Sequence, residues 1–163
     1  MRPAMKFVLD KLGCSKIGAE IGVETGEHAY DIAWHLKPAK LYLVDLWDYK
    51  YPDDAKIVDT ASMVWAMKRL EQFYGIYYLR MPSLEASLIM PFEYLDFVYI
   101  DADHFQGIKQ DLEAWFPKIK NGGIISGHDY DVTYPAVTQA VNDFAVDYGL
   151  TINSKNGDWW AVK

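Results

Sequence analysis

The chain has 163 residues, enough for one domain, with 51% hydrophobic and 24% charged residues, a composition that excludes an intrinsically disordered protein. Its formal net charge of −7 argues against a basic face for nucleic acid, and its one cysteine, Cys14, excludes an intramolecular disulfide or a thiolate zinc cluster. Because a signal-peptide pattern and a membrane-length apolar run are both lacking, we expect a cytoplasmic protein without membrane partners.

Short apolar runs alternate with amphipathic stretches along the chain. Parallel strands are predicted at residues 17–21, 41–44, 76–79, 95–100 and 123–126, and a final hairpin at 150–153 and 159–162 around the turn Asn156-Gly157. This alternation is typical of βαβ units. It predicts a single α/β domain over residues 1–163, with a Rossmann-like, doubly wound, mostly parallel sheet and a C-terminal antiparallel hairpin.

Helices are predicted between the strands from the helical spacing of hydrophobic residues. Their inward positions are Ala29, Ile32, Ala33 and Leu36; then Val64, Met67 or Trp65, and Leu70 within 60–73; then Ile108, Leu112, Trp115 and Phe116; and finally Val137, Val141, Phe144 and Ala145. Residues 46–59 form the longest candidate loop, which suggests a lid. Its aromatic residues Trp47, Tyr49 and Tyr51 either stack on a ligand or pack within the loop.

The first predicted strand runs through Glu20 into a turn bounded by Gly22 and Gly26, directly before a helix. Dinucleotide-binding turns have the spacing G-x-G-x-x-G, whereas this one has G-x-x-x-G. The acids Glu20, Glu24 and Glu27 would repel a phosphate. The turn therefore favours a cationic or zwitterionic ligand, unless it is a plain connection between strand and helix.

Asp45 ends the second predicted strand, about 20 residues after the glycine turn. A carboxylate in that place can accept hydrogen bonds from both hydroxyls of a ribose. Taken alone, it could equally cap the turn that follows. Together with the glycine turn, it indicates an adenosyl ligand.

The second half of the chain adds Ile100-Asp101-Ala102-Asp103-His104, then Gly122-Gly123, then a strand that ends in His128-Asp129-Tyr130. Over roughly residues 15–145, this pattern resembles class I S-adenosylmethionine-dependent methyltransferases, in particular a small-molecule O-methyltransferase subset like methyltransferase family 24. The resemblance implies that S-adenosylmethionine is the cofactor. It also implies that a small molecule accepts the methyl group.

The resemblance assigns roles at the donor site to residues of this chain. It implies that Glu20, Gly22 and Gly26 hold the methionine part of the donor and that Asp45 holds the ribose. It places Ser83 near the adenine.

Asp101 and Asp129 end adjacent predicted strands, where two carboxylates can share Mg²⁺ or Mn²⁺. The resemblance implies such a metal at Asp101 and Asp129, and Asp101 is also a candidate for cofactor binding and for catalysis. His128 either completes the metal site or acts as the general base, and His104 is a second candidate for the base.

These residues predict transfer of a methyl group to a hydroxyl of a small molecule, with a divalent metal as a possible aid. One alternative is an adenosyl-binding module without transferase activity. Another is an NAD-linked oxidoreductase, which the missing phosphate-binding glycine pattern disfavours. Trp159 and Trp160 face opposite sides of one strand, so one belongs to the core and the other to the surface or an interface, and a homo-oligomer stays open.

Overall fold

The computed structural model describes residues 1–50, 57–102 and 107–163 of the chain. The strands are, in chain order, β1 (Ile17–Ile21), β2 (Lys40–Asp45), β3 (Tyr49–Lys50), β4 (Ile57–Val58), β5 (Ile76–Arg80), β6 (Leu95–Ile100), β7 (Ile119–Gly127), β8 (Asn153–Lys155) and β9 (Asp158–Val162). The helices are α1 (Pro3–Leu12), α2 (Glu27–Leu36), α3 (Thr60–Leu70), α4 (Ser83–Ile89), α5 (Gly107–Trp115) and α6 (Pro135–Tyr148). None of the helices in these ranges is both long and apolar enough to cross a membrane.

The main sheet has seven strands in the order β5-β2-β1-β6-β7-β9-β8. The five strands from β5 to β7 are parallel, and β9 runs antiparallel to both β7 and β8. The doubly wound sheet with an antiparallel C-terminal hairpin is therefore confirmed. The strand order reverses between β1 and β6, and open α/β sheets bind ligands at the carboxyl ends of the strands at such a reversal.

A hydrophobic core lies on each face of the sheet. Helices α1, α2 and α3 cover one face, and α4, α5 and α6 cover the other. Along β6, Phe97 and Tyr99 enter the first core while Val98 and Ile100 enter the second. A strand buried on both faces has no polar side to alternate with, which explains the continuous apolar run over residues 97–100 in the sequence.

The predicted inward face of α3 is confirmed at Leu70 but wrong at its other positions. Val64, Trp65 and Met67 are about half exposed, whereas Ala66 and Leu70 are buried. The reason is a close contact, because a Cβ atom added to Gly26 would lie 3.0 Å from the Cβ atom of Ala66. Only a small side chain fits where α3 crosses the glycine turn.

Other boundaries also differ from the prediction, among them the start of β7, which lies at Ile119 rather than at residue 123. The last hairpin begins at Asn153 rather than residue 150. Gly149 ends α6 in the left-handed conformation, and the Leu150 N–H then donates to the carbonyl oxygen of Ala145 at 2.8 Å, so Leu150 belongs to the helix cap. The predicted lid loop also contains structure, since β3 and β4 pair as a small antiparallel hairpin, while residues 51–56 lie outside the described residues.

Candidate functional site

The turn between β1 and α2 requires glycine at two positions. Gly22 has φ +84° and Gly26 has φ +75°, both in the left-handed region that other residues rarely adopt. A Cβ atom added to Gly22 would lie 2.1 Å from the carbonyl oxygen of Asp101. Glycine at position 22 therefore lets the end of β1 meet the end of β6, where the sheet reverses its strand order.

Asp45 holds this turn from the end of β2. Its Oδ2 accepts the backbone N–H groups of Val23 and Glu24, each at 2.8 Å, and its Oδ1 accepts that of Trp47 at 2.7 Å. The side chain is buried. Asp45 thus caps the glycine turn, and Oδ1 retains acceptor capacity for one more donor.

A cavity of about 200 Å³ opens beside the glycine turn, at the carboxyl ends of β1 and β6. Its described lining residues are Arg2, Glu20, Gly22, Val23, Glu24, Thr25, Glu27, His28, Tyr49 and Asp101. Four of these lining residues are acids. Of the described lining residues, Arg2 alone carries a permanent positive charge. The cavity therefore suits a ligand with positively charged groups.

Glu20 and His28 form a buried pair at the floor of the cavity. Nδ1 of His28 lies 3.0 Å from Oε1 of Glu20. Burial and the charge of Asp101 raise the pKa of Glu20 well above its usual value, whereas burial and the charge of Arg2 lower the pKa of His28 to about 3. Within the described chain, Oε2 of Glu20 is buried without a hydrogen-bond partner. Such an atom is costly to leave unpaired, which marks a place for a ligand donor.

The structure brings Asp101, His128 and Asp129 together. The parallel register pairs Ile100 with Gly127, so the residues that follow β6 and β7 become neighbours. One ligand atom from each of the three side chains lies within 4.8 Å of the other two. Nδ1 of His128 lies 2.9 Å from Oδ1 of Asp129, and this hydrogen bond raises the pKa of His128.

Arg2 reaches the same place from the start of α1. Its Nη1 donates to Oδ2 of Asp101 at 2.8 Å and to the hydroxyl of Tyr99 at 2.6 Å. The Tyr99 hydroxyl in turn donates to Oδ1 of Asp158 at 2.8 Å, and Oδ2 of Asp158 accepts the backbone N–H of Ala4 at 2.9 Å. A partly buried hydrogen-bond network therefore joins α1, β6 and β9 at the edge of the cavity.

Ser83 lies at the first position of α4 and is bonded to α5. Its hydroxyl donates to Oδ1 of Asp111 and accepts the indole N–H of Trp115 at 2.8 Å. Both of these hydrogen bonds are to groups of the protein itself. The contact between Ser83 and adenine stays a prediction.

Replacing Ser83 with alanine is expected to lower the free energy of unfolding by about 1–3 kcal/mol, because the hydroxyl joins two groups of α5 in a partly buried setting. Urea denaturation measures the change, and Ser154→Ala on the exposed strand β8 is the matched control. Equal stability of the two variants would contradict the structural role of Ser83.

Four of the predicted site residues lie in the sequence segment 46–59 or follow β6 in the chain. Trp47 is fully buried, and its indole N–H donates to the carbonyl oxygen of Glu24 at 2.7 Å, so it is a core residue. Tyr49 lines the cavity. Tyr51 and the candidate base His104 lie outside the described residues.

Arg2, His28 and Asp158 were missed by the sequence analysis. His28 lies within the first turn of α2, directly after the glycine turn, and this position could have drawn attention to it. Arg2 and Asp158 come from opposite ends of the chain, and no local pattern relates them.

A family model described as a methyltransferase domain matches residues 19–130, more than half of the chain. The matched segment includes the glycine turn, Asp45, Asp101 and Asp129, but neither Arg2 nor Asp158. Among curated proteins, none matches the sequence significantly.

Solved structures share the fold at low sequence identity. The proposed caffeoyl-CoA O-methyltransferase from Staphylococcus aureus is 17% identical with a TM-score of 0.70, over 100% of this chain and 84% of that chain. The N-methyltransferase NodS from Bradyrhizobium japonicum WM9, solved with S-adenosyl-l-homocysteine, is 14% identical with a TM-score of 0.65, over 96% and 81%. An rRNA methylase from Streptococcus thermophilus is 14% identical with a TM-score of 0.70, over 100% and 97%.

These similar structures include O-, N- and rRNA methyltransferases, so the fold does not identify the acceptor. The family match carries more weight, because it spans the residues that shape the acidic cavity and the strand ends beside it. The chain therefore belongs to this family of methyltransferase domains and is a class I S-adenosylmethionine-dependent methyltransferase.

Proposed function

We propose that this methyltransferase transfers its methyl group to a hydroxyl of a small molecule. The proposal is supported by the observation that two features lie side by side. One is an acidic cavity into which a buried, unpartnered carboxyl oxygen of Glu20 is set. The other is the cluster of Asp101, His128 and Asp129, of which Asp101 also lines that cavity.

The donor site in this proposal consists of Glu20, Gly22, Gly26 and Asp45. S-adenosylmethionine has a sulfonium and an α-ammonium group, and acids around the cavity favour both. A cavity of about 200 Å³ suits the amino-acid end of the donor rather than the whole molecule, since drug-sized ligands occupy about 300–1,000 Å³. Oδ1 of Asp45 is available for a ribose hydroxyl, and Ser83 remains the candidate beside adenine.

Glu20 would pair with the α-ammonium group. A cation beside a carboxyl group favours its ionised form. Donor binding would therefore satisfy Oε2 of Glu20 and offset the burial that otherwise raises the pKa of this carboxyl.

On the acceptor side, Asp101, His128 and Asp129 would hold a divalent cation. Two carboxylates and an imidazole are suitable ligands for Mn²⁺, and the carboxylate oxygens can also bind Mg²⁺. When bound, such an ion lowers the pKa of an acceptor hydroxyl and orients its oxygen. Asp129 fixes the orientation of the His128 ring through its hydrogen bond to Nδ1. The net charge of −7 makes a small acceptor more suitable than a nucleic acid.

The donor site is tested by titration calorimetry with S-adenosylhomocysteine. Glu20→Gln keeps the shape of the side chain but removes the negative charge. We expect it to weaken binding by about 10- to 100-fold, the effect of losing a charge-assisted hydrogen bond. Glu71→Gln at the exposed end of α3 is the control. Equal affinities of the two variants would contradict the assignment of Glu20.

The acceptor class is tested with S-adenosylmethionine that carries an isotope-labelled methyl group. Small phenols, sugar alcohols, primary amines and a structured RNA are offered separately, and products are analysed by mass spectrometry. Labelled methyl ethers are the expected products. Labelling confined to amines or RNA would overturn the proposed acceptor while leaving the donor site intact.

A further inference from the structure

We propose that Arg2 binds the α-carboxylate of the methyl donor, and that Tyr99 and Asp158 position Arg2 for this role. The inference rests on the proposed function, in which Glu20 binds the α-ammonium group. It assigns a ligand-binding residue that lies outside the segment matched by the family model.

The charges around the cavity support Arg2 as the partner of the carboxylate. The donor's amino-acid end has both an ammonium and a carboxylate on one carbon atom, so their partners must line the same space. Glu20, Glu24, Glu27 and Asp101 all repel a carboxylate there. His28 does not offset them, because burial lowers the pKa of its ring to about 3. Arg2 is the remaining described lining residue that attracts an anion permanently.

The guanidinium group of Arg2 has hydrogen-bond donors that are available to bind the carboxylate. Nη1 of Arg2 makes the bonds to Asp101 and Tyr99, whereas Nε and Nη2 have no hydrogen-bond partner within the described chain. A guanidinium has five N–H donors, and two of its nitrogens can bind a carboxylate in parallel. The side chain is 32% exposed, so it borders the cavity without being free in solvent.

The position of Arg2 is fixed by contacts that a surface arginine does not need. Pro3 occupies the first turn of α1, and Asp158 accepts the N–H of Ala4 in the same turn. Asp158 is fully buried, and the Tyr99 hydroxyl connects it to Nη1 of Arg2. Burial raises the pKa of Tyr99, so its hydroxyl keeps the proton that it donates to Asp158. The C-terminal hairpin thereby holds the start of α1 against the cavity.

The test compares two ligands that differ only in the carboxylate: S-adenosylhomocysteine and its decarboxylated analogue. Arg2→Ala is expected to weaken calorimetric binding of S-adenosylhomocysteine by about 10- to 100-fold and to leave the decarboxylated ligand within about threefold. Arg2→Lys should recover part of the loss, since it restores the charge but not the paired donors. Asp158→Asn should show the same carboxylate-selective loss through Tyr99.

Lys6→Ala is the matched control, because Lys6 lies on α1 and pairs with Asp10 at the surface. It should bind both ligands as the unaltered protein does. If Arg2→Ala binds S-adenosylhomocysteine normally, or loses both ligands equally, the role of Arg2 is overturned. If the unaltered protein binds neither ligand, the proposed donor site itself is overturned, which is a distinct result.

Discussion

Removal of divalent metal by a chelator is expected to slow methyl transfer by at least about 100-fold, and Mn²⁺ is expected to restore the rate. The physical reason is the arrangement of Asp101, His128 and Asp129, whose ligand atoms lie within 4.8 Å of one another. Without a cation, the acceptor hydroxyl keeps its ordinary high pKa and is a poor nucleophile. Initial rates of labelled methyl transfer, measured before and after chelation, check this expectation.

Variants test whether the metal dependence of the rate arises from the cluster of Asp101, His128 and Asp129. Asp129→Asn should raise the Mn²⁺ concentration needed for half-maximal rate, since it removes a charged ligand that is itself buried. Asp147→Asn, an exposed residue of α6, should leave it unchanged. An undiminished rate after chelation would contradict the metal. If His128→Ala then still abolished transfer, proton removal would belong to His128 as a general base oriented by Asp129.

Arg2 bears on the same cluster because it is bonded to Oδ2 of Asp101. A carboxylate has two oxygens and about four lone-pair sites, so Asp101 can bind Arg2 and a cation together. The positive charges of Arg2 and of such a cation would then repel each other. Donor binding that draws the guanidinium toward the α-carboxylate would relieve that repulsion, so the donor site and the metal cluster are expected to favour each other's occupation.

Most of the sheet could be predicted from the sequence, and the reason is burial. The bounds of β1 and β6 were predicted without error, because strands covered on both faces have mostly apolar sequences. The meeting of Asp101 with Asp129 followed from the parallel arrangement of neighbouring strands. The inward face of α3 could not be predicted, because it depends on the contact between Ala66 and Gly26, which are far apart in sequence.

The role of Arg2 in the candidate site could not be predicted either, because it also depends on contacts between residues far apart in sequence. Arg2 contacts Tyr99 and Asp101, almost a hundred residues along the chain, and Asp158 reaches back to Ala4 across an even longer separation. Periodicity and motif spacing contain information about neighbours along the chain and about regular pairing of strands. They contain none about a side chain that enters a site from a distant helix start.

Replacing Gly22 with alanine is expected to lower the free energy of unfolding by more than about 3 kcal/mol. Two costs combine at this position. Alanine would have to adopt φ near +84°, and its Cβ atom would lie 2.1 Å from the carbonyl oxygen of Asp101 and 2.8 Å from the Cα atom of Ala102. Because both contacts are to backbone atoms, the clash can be relieved only by separating the end of β1 from the end of β6.

Gly122→Ala separates the two costs. Gly122 has φ +80°, and an added Cβ atom there would meet nothing within 4 Å. It should therefore cost only about 1 kcal/mol, the strain of the left-handed conformation less the gain from a stiffer unfolded chain. Urea denaturation of both variants gives the comparison. A similar loss of unfolding free energy in both variants would show that the backbone around Gly22 and Asp101 moves apart at little cost. The glycine turn could then not hold the donor and metal sites at a fixed separation.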